Sequence, residues 1–397
     1  MTRHKAAIAV SLLPRGCQTR VITERHFSGL FLPLQHKSLL RSTHRKGVFL
    51  VYFGGRLGHC AMPHFSCSST GPTNFRLYST RMNVYRIHIR PDGRLAAFSF
   101  AYCLEAGVLG MGWQVSAPSG SRLTWDDYRR LAAEGGSKRV PSQVQYLHDY
   151  VKPGDLIWTR DPGGCYYLAR VLPPRPPDTQ DGSAWEYLDT PRGSEVDVVN
   201  VVRCRIFPVR QPDDVPGKVI ACFRARRTIQ AIADETSVLY SKWLWSQLSG
   251  DPFEPESSCR FLEIFSLLSD ESTEDVIFIF LQCQGWIVVP TSRKRDTMAY
   301  EFIVIHRQNF ERAVVQVKTG TTSINFDDWR DRREKVFLFQ SNGLYEGPPA
   351  SNVTAIQPAE IKAFIQENPG LMPGSVRRWV EIIREFGDAS FNPGSPG

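Results

Sequence analysis

The first 81 residues are almost without acid. They hold twelve Lys or Arg and one carboxylate, Glu24, for a net +11, whereas residues 82–397 hold 36 basic and 39 acidic side chains, for −3. The overall +8 and the pI near 9.0 therefore belong to the leader, and do not identify nucleic acid as the partner of the whole chain. Long apolar runs are missing too. No stretch reaches the roughly 18 to 20 uninterrupted apolar residues that a membrane helix needs, which predicts no membrane partner. The six cysteines after residue 81 are scattered, without CxxC pairs, which predicts a reducing, cytoplasmic setting and no disulfides. There is no Walker loop, G-x-S-x-G elbow or H-E-x-x-H helix, which argues against translocation powered by this chain itself.

The leader shows no sustained helical or strand periodicity and is expected to be unstructured. Three readings of it compete. Its Arg and Ser content suits a targeting segment, but the one apolar stretch near its start, Ala6 to Leu13, is short and ends at Pro14-Arg15. His59, Cys60, His64 and Cys67 have a spacing that could hold a metal, although His59 and Cys60 are adjacent. The favoured reading is upstream sequence, translated through a start placed too early, with the folded protein opening at Met82. Met82 to Ile89 alternates as a strand does.

Residues 82–397 are long enough for two domains. The expected division is a β-rich recognition domain over 82–220, a helical connector over 221–256, a second domain over 257–391 and a disordered tail over 392–397. Within the first, Asp155 to Arg160, Tyr166 to Val171 and Val198 to Ile206 read as short strands, and Pro173 to Gly182 as a surface loop. Thr228 to Leu248 reads as helix, with Gly250 to Pro255 as the loop after it. In the second, Val336 to Phe339 reads as a buried strand, and Pro358 to Glu367 and Ser375 to Phe386 as covering helices.

The stretch richest in chemistry is Tyr300 to Ile305, followed after His306-Arg307-Gln308-Asn309 by Ala313 to Gly320. Two β-rich runs around a polar break predict a hairpin with Glu301 on its first strand and Gln316 and Lys318 on its second. Gln316 and Lys318 are two apart and so point to one face. An acid, a carbonyl oxygen and an ammonium on one sheet face suit metal-assisted phosphodiester hydrolysis, which needs oxygen ligands for a hard cation and a positive charge beside the attacked phosphate. Upstream, Ser272-Thr273-Glu274-Asp275 offers a helix cap, the run to Gln284 stops at Gly285, and Trp286 to Val289 reads as a strand.

This order of acidic helix, Gly-Trp turn, strand, acid and Gln-x-Lys strand resembles the PD-(D/E)XK nuclease superfamily, especially its Mrr-like restriction endonuclease branch. The resemblance implies Glu274 as helix acid, Glu301 as central metal ligand, Gln316 in place of the usual second acid and Lys318 as catalytic lysine. It also implies Mg²⁺, with Mn²⁺ as an alternative, held by Glu301, Glu274, the Gln316 side-chain oxygen and a carbonyl near Val317. The superfamily's central acid is usually Asp, so Asp296 competes with Glu301; Glu301 is favoured because it opens a strand directly.

The segment Gly107 to Trp113, with Lys152 to Trp158 and Tyr166 to Val171, resembles PUA-like barrels of the EVE type, members of which hold a modified base in an aromatic pocket. Trp113, Trp158 and Tyr166 become cage candidates, since a base taken out of its stack must be held between flat side chains. A Trp in an alternating strand is more often barrel core than ligand platform. Gly110-x-Gly112 lacks the third glycine of a dinucleotide loop. Basic residues at Arg224, Arg226 and Arg227, and Arg203 with Arg205, could contact phosphates, and Arg293, Lys294 and Arg295 lie where they could guide a backbone toward Glu301. The expected fold is thus α+β, a PUA-like β-barrel followed by an α/β nuclease domain with a mixed central sheet. The expected function is a modification-sensing, cytoplasmic restriction or defence endonuclease acting on nucleic acid, DNA in preference to RNA, and a homodimer would suit double-strand cleavage. The alternative is a non-catalytic binding module on a degenerate nuclease fold.

Overall fold

The computed structural model describes residues 82–89, 94–135, 139–175, 182–209, 211–225, 227–253, 262–292 and 299–391. The leader, the tail, Arg226, Arg293, Lys294, Arg295 and Asp296 lie outside the described residues.

The chain opens with β1 (Val84–Ile87), α1 (Ala96–Ala106), β2 (Val108–Met111), α2 (Trp125–Glu134), α3 (Ser142–Tyr150), β3 (Leu156–Arg160), β4 (Tyr166–Val171), β5 (Trp185–Tyr187), α4 (Pro191–Glu195) and β6 (Asn200–Pro208). There follow α5 (Gly217–Arg224), β7 (Ile229–Ala231) and α6 (Glu235–Ser249). Seven strands form one curled sheet in the order β2-β6-β4-β3-β1-β7, with β5 beside β6. The expected closed barrel is therefore a half-barrel, because β2 and β7 end the described strand order without pairing to each other. Nor is Thr228 to Leu248 one helix. Ile229-Gln230-Ala231 pairs antiparallel with β1, and Asp234 starts a new helix by accepting from the Ser237 N–H.

The alternation of Met82 to Ile89 predicts one wet face, yet all four residues of β1 are buried. Arg86 is fully enclosed because its guanidinium donates to the carbonyls of Ala225, Arg227 and Thr228, between α5 and β7, and to Gln230 Oε1 on β7 itself. A buried charge is tolerated where such acceptors surround it.

The second sheet follows α7 (Ile264–Leu267) and α8 (Asp270–Cys283). Its strands are β8 (Trp286–Val288), β9 (Phe302–His306), β10 (Arg312–Lys318), β12 (Lys335–Gln340) and β14 (Val353–Ile356), and β11 (Ile324–Asn325) pairs separately with β13 (Tyr345–Glu346). The order β14-β12-β10-β9-β8 is mixed: β8, β9 and β10 run antiparallel in turn, and β10, β12 and β14 run parallel. The helices α9 (Pro358–Glu367) and α10 (Gly374–Phe391) close the chain. The cap of α8 is Ser269 rather than Ser272, since the Ser269 hydroxyl accepts from the Ser272 N–H and Asp270 and Glu271 fill the favourable first turn.

Strand alternation divides this sheet cleanly. Phe302, Val304, Val315, Val317, Phe337 and Phe339 share a core with Val276, Ile277, Phe280 and Leu281 of α8, whereas Ile303, Val314, Val336 and Leu338 pack with Phe326 and Trp329 on the other face. The first core also takes in Trp158, Tyr166 and Leu168 of the half-barrel, through α6. That helix is buried around most of its circumference, with Trp245 against Phe207 of β6 and Tyr240 against Trp379 of α10. The two sheets are continuous through a shared core.

The described cysteines Cys103, Cys204, Cys222 and Cys283 are free thiols, but Cys165 is disulfide-bonded, against the expectation of none. Sequence spacing is silent on such a pairing because a fold brings distant cysteines together, and scattered cysteines thus lose their force as a pointer to the cytoplasm. No helix among the described residues is long and apolar enough to cross a membrane.

Candidate functional site

The antiparallel register sets Val315 against Phe302, and the Glu301 N–H donates to the Val315 carbonyl as the last rung between β9 and β10. The Val317 carbonyl, two residues on, points to the same side, where β9 has ended. Such an orphan acceptor needs a partner. It takes one from the strand itself: Gln316 Nε2 donates to Val317 O at 3.0 Å and to Glu301 Oε1 at 2.8 Å. Lys318 Nζ lies 3.9 Å from the same Glu301 oxygen. Gln316 is buried, while Glu301 and Lys318 are part-exposed, so the cluster opens to solvent at its charged end.

Glu301, Gln316 and Lys318 share the sheet face of Ile303 and Val314, opposite α8. Glu274 stands on α8 and therefore across the sheet from them. The α8 acid that reaches the end of β10 is Asp270, whose carboxylate accepts from the Thr319 hydroxyl at 2.5 Å. Asp270 and Glu274 are four residues apart and so line one ridge of the helix, with Glu274 one turn further along. Asp270 carried no signal in the sequence beyond its place in a helix's first turn.

The oxygen set fits a hard divalent cation in kind. The Gln316 amide nitrogen occupies the point on which a carboxylate oxygen and a carbonyl oxygen converge, as a cation would. Half a turn of the carboxamide would replace it with Oε1, giving three oxygen ligands of the type Mg²⁺ prefers. Among the described residues no group of three or more His, Cys, Asp or Glu gathers as a metal site, so the carboxamide and the backbone carbonyl are indispensable to any such set.

The cage candidates separate. Trp158 is fully buried, and its indole N–H donates to Ser241 Oγ of α6 at 2.8 Å. Tyr166 is buried edge-on to Phe223, with Arg160 over its ring. Both are core residues that join the half-barrel to α5 and α6, because alternation turns them to the sheet's outer, helix-covered face. Trp113 is different: 41% exposed, just past β2, in the left-handed region at φ 62°. Its carbonyl accepts from the Tyr128 hydroxyl at 3.0 Å and from Asn200 Nδ2 at 3.3 Å. Beside it Asp197 is also left-handed, at φ 55°. Its carboxylate lies so close to Gly112 that an added Cβ would meet Oδ1 at 2.1 Å, so the carboxylate takes the space that glycine leaves and would have to move for any other residue. The second glycine of Gly110-x-Gly112 thus faces a carboxylate of the protein itself. Burial raises the Asp197 carboxyl pKa, and among the described residues no hydrogen bond or cation offsets it. Behind this corner, Trp125 stacks on His148 at 3.9 Å and on Tyr128 at 5.7 Å.

Of the basic candidates, Arg224 is engaged by Glu271 at 2.6 Å and Asp270 at 3.6 Å. Arg227 is exposed. Arg205 donates to the Ser249 carbonyl and lies over Phe207, and Arg203 donates to the Pro173 carbonyl.

No family profile and no curated protein matches this chain. Among solved structures it is similar to the protein titled DNA modification-dependent restriction endonuclease AspBHI, with 13% identity over 70% of this chain and 79% of that one and a TM-score of 0.17. A superposition of that quality decides neither fold nor function.

Proposed function

We propose that this chain is a metal-dependent nuclease of the PD-(D/E)XK kind that hydrolyses phosphodiester bonds in nucleic acid, DNA in preference to RNA, as a restriction or defence endonuclease. The observation that carries this is the convergence of Glu301 Oε1, the Val317 carbonyl and the Gln316 carboxamide within hydrogen-bonding distance, with Lys318 beside them.

Glu301, the Gln316 side-chain oxygen and the Val317 carbonyl would hold Mg²⁺ or Mn²⁺, and Glu274, across the sheet on α8, would not share that ion. A cation so bound makes its water a stronger nucleophile and neutralises charge on the phosphate. Lys318 offers its ammonium protons to the charge that builds on the phosphoryl oxygens during attack. Glu301 keeps that ammonium close, and Phe302 to Ile305 hold Glu301 at the strand's mouth through the β9–β10 rungs. The half-barrel is the recognition part, a PUA-like reader of a modified base. Its strongest candidate wall is Trp113, with Asp197 as an acceptor for an exocyclic amine.

A second reading, a non-catalytic binding module, is favoured by the Gln316 amide itself, which already satisfies both oxygens. One experiment separates the two. Purified protein is incubated with modified and unmodified DNA and RNA, with Mg²⁺ or EDTA, beside Glu301→Ala. Cleavage that needs Mg²⁺ and is lost in Glu301→Ala is the expected result; binding without cleavage under every condition would leave the binding module.

A further inference from the structure

Strand β10 leads from Lys318 directly into a turn that is held from several sides. Gln340 stands opposite Lys318 in the parallel pairing and is fully buried. Its amide nitrogen donates to the Gly320 and Thr322 carbonyls at 2.8 and 3.0 Å, and its oxygen accepts from the Asn342 and Leu344 N–H groups at 2.6 and 3.0 Å. Ser341 Oγ accepts from the Gly320 N–H at 3.1 Å, and Asp270 takes the Thr319 hydroxyl. With these backbone groups satisfied in one geometry, the turn is a fixed shelf beside Lys318.

Against this shelf stands Lys218, from α5. Its Nζ lies 2.8 Å from where a Cβ on Gly320 would be, and Gly320 is left-handed at φ 73°, so glycine both makes the turn and leaves room for the ammonium. The acids nearest in connection, Asp270 and Glu271, are engaged by Arg224, and Glu301 faces Lys318. Among the described residues Lys218 has no carboxylate partner. It is also misplaced for helix stability. As the second residue of α5, after Pro216 at the N-cap, it sits where the helix dipole repels a cation. Thus α5 brings a half-buried cation, opposed by its own helix, to a rigid turn two residues beyond Lys318.

We propose that Lys218 binds a phosphodiester group of the nucleic-acid backbone adjacent to the one attacked at Lys318. This rests on the nuclease reading and deepens it: Lys218 is a positioning residue supplied from outside the second sheet, and it makes α5 part of the nucleic-acid track. The preceding residues of the site orient chemistry; Lys218 fixes the strand's register over them.

The test is equilibrium binding of a fluorescently labelled DNA duplex in EDTA, across a series of salt concentrations, for wild type, Lys218→Ala and Lys218→Arg. Loss of one phosphate contact should weaken binding and reduce the slope of log affinity against log salt by about 0.9, with Lys218→Arg restoring it. Thermal unfolding identifies folded variants, and if Lys218→Ala does not fold, Lys218→Gln, which keeps most of the stem, is read in the same way. An unchanged slope, with wild type binding the duplex and cutting it in Mg²⁺, would overturn this inference alone. Wild type that neither binds nor cuts would overturn the nuclease reading and this inference with it.

Discussion

The two polar centres of this protein are built by opposite means. At the β9–β10 end, ordinary strand geometry does the work: register places Glu301, Gln316 and Lys318 on one face, and the carboxamide satisfies the acceptors that the end of β9 leaves open. At the β2 end, two side-chain-bearing residues, Trp113 and Asp197, are held in left-handed backbone, which costs about 1–3 kcal/mol each unless surrounding structure imposes it. The imposing structure is visible. Asn200 and Tyr128 bind the Trp113 carbonyl, and Asn200 Oδ1 is itself fixed by the Trp185 indole N–H at 3.1 Å. A hairpin centre is thus arranged before any ligand arrives, while the other corner carries strain, an exposed indole and a half-buried carboxylate. The contrast is between a polar cluster that satisfies itself and a strained corner left open to solvent.

The contrast can be broken most forcefully at Trp158. Its replacement by Ala removes a fully buried ring and its bond to Ser241, so stability should fall by about 3–5 kcal/mol, read by denaturant unfolding, while the fraction that stays folded keeps its affinity for nucleic acid. A loss of affinity without a loss of stability would return Trp158 to the base cage. Lys318→Ala should act in the reverse sense. Turnover in Mg²⁺ should drop by about 10² or more, as on removing one donor to a developing oxyanion, with little change in unfolding. Equal turnover would mean that the chemistry, if any, lies elsewhere. Trp113→Ala should have the smallest effect of the three and the most selective. Removing base stacking worth roughly 1–3 kcal/mol should lower affinity for the preferred modified substrate by about one to two decades. Ala keeps the Cβ and so the left-handed strain at that position, and the ring lost is part-exposed, so stability should be little altered; a large stability loss instead would make Trp113 structural.

Much of the second sheet was legible in advance because its signals are local. The β-rich runs Tyr300 to Ile305 and Ala313 to Gly320 around a polar break mark a hairpin whose strands form as Phe302–His306 and Arg312–Lys318, and Pro358 to Glu367 forms a helix over the range its apolar spacing and N-terminal proline mark out. The half-barrel was less legible. Ile229-Gln230-Ala231 becomes a strand only because β1 offers an edge, and Arg86 is buried only because carbonyls far along the chain surround it. The cap of α8 was misplaced for a smaller reason: both Ser269 and Ser272 are good caps, and the choice between them depends on how the chain enters from α7.

The sequence by itself determined the hairpin and the placing of Gln316 and Lys318 on one of its faces, since strand periodicity and turn chemistry operate over a few residues. Tertiary structure alone decided what surrounds them. It put α8 on the opposite face, brought Asp270 rather than Glu274 to the strand end, seated Lys218 against Gly320, and turned Trp158 and Tyr166 into the shared core while leaving Trp113 exposed. The physical reason is one of range. Which groups meet across a sheet, and which side of a strand a helix covers, is settled by packing between segments far apart in the chain, and no local pattern encodes it.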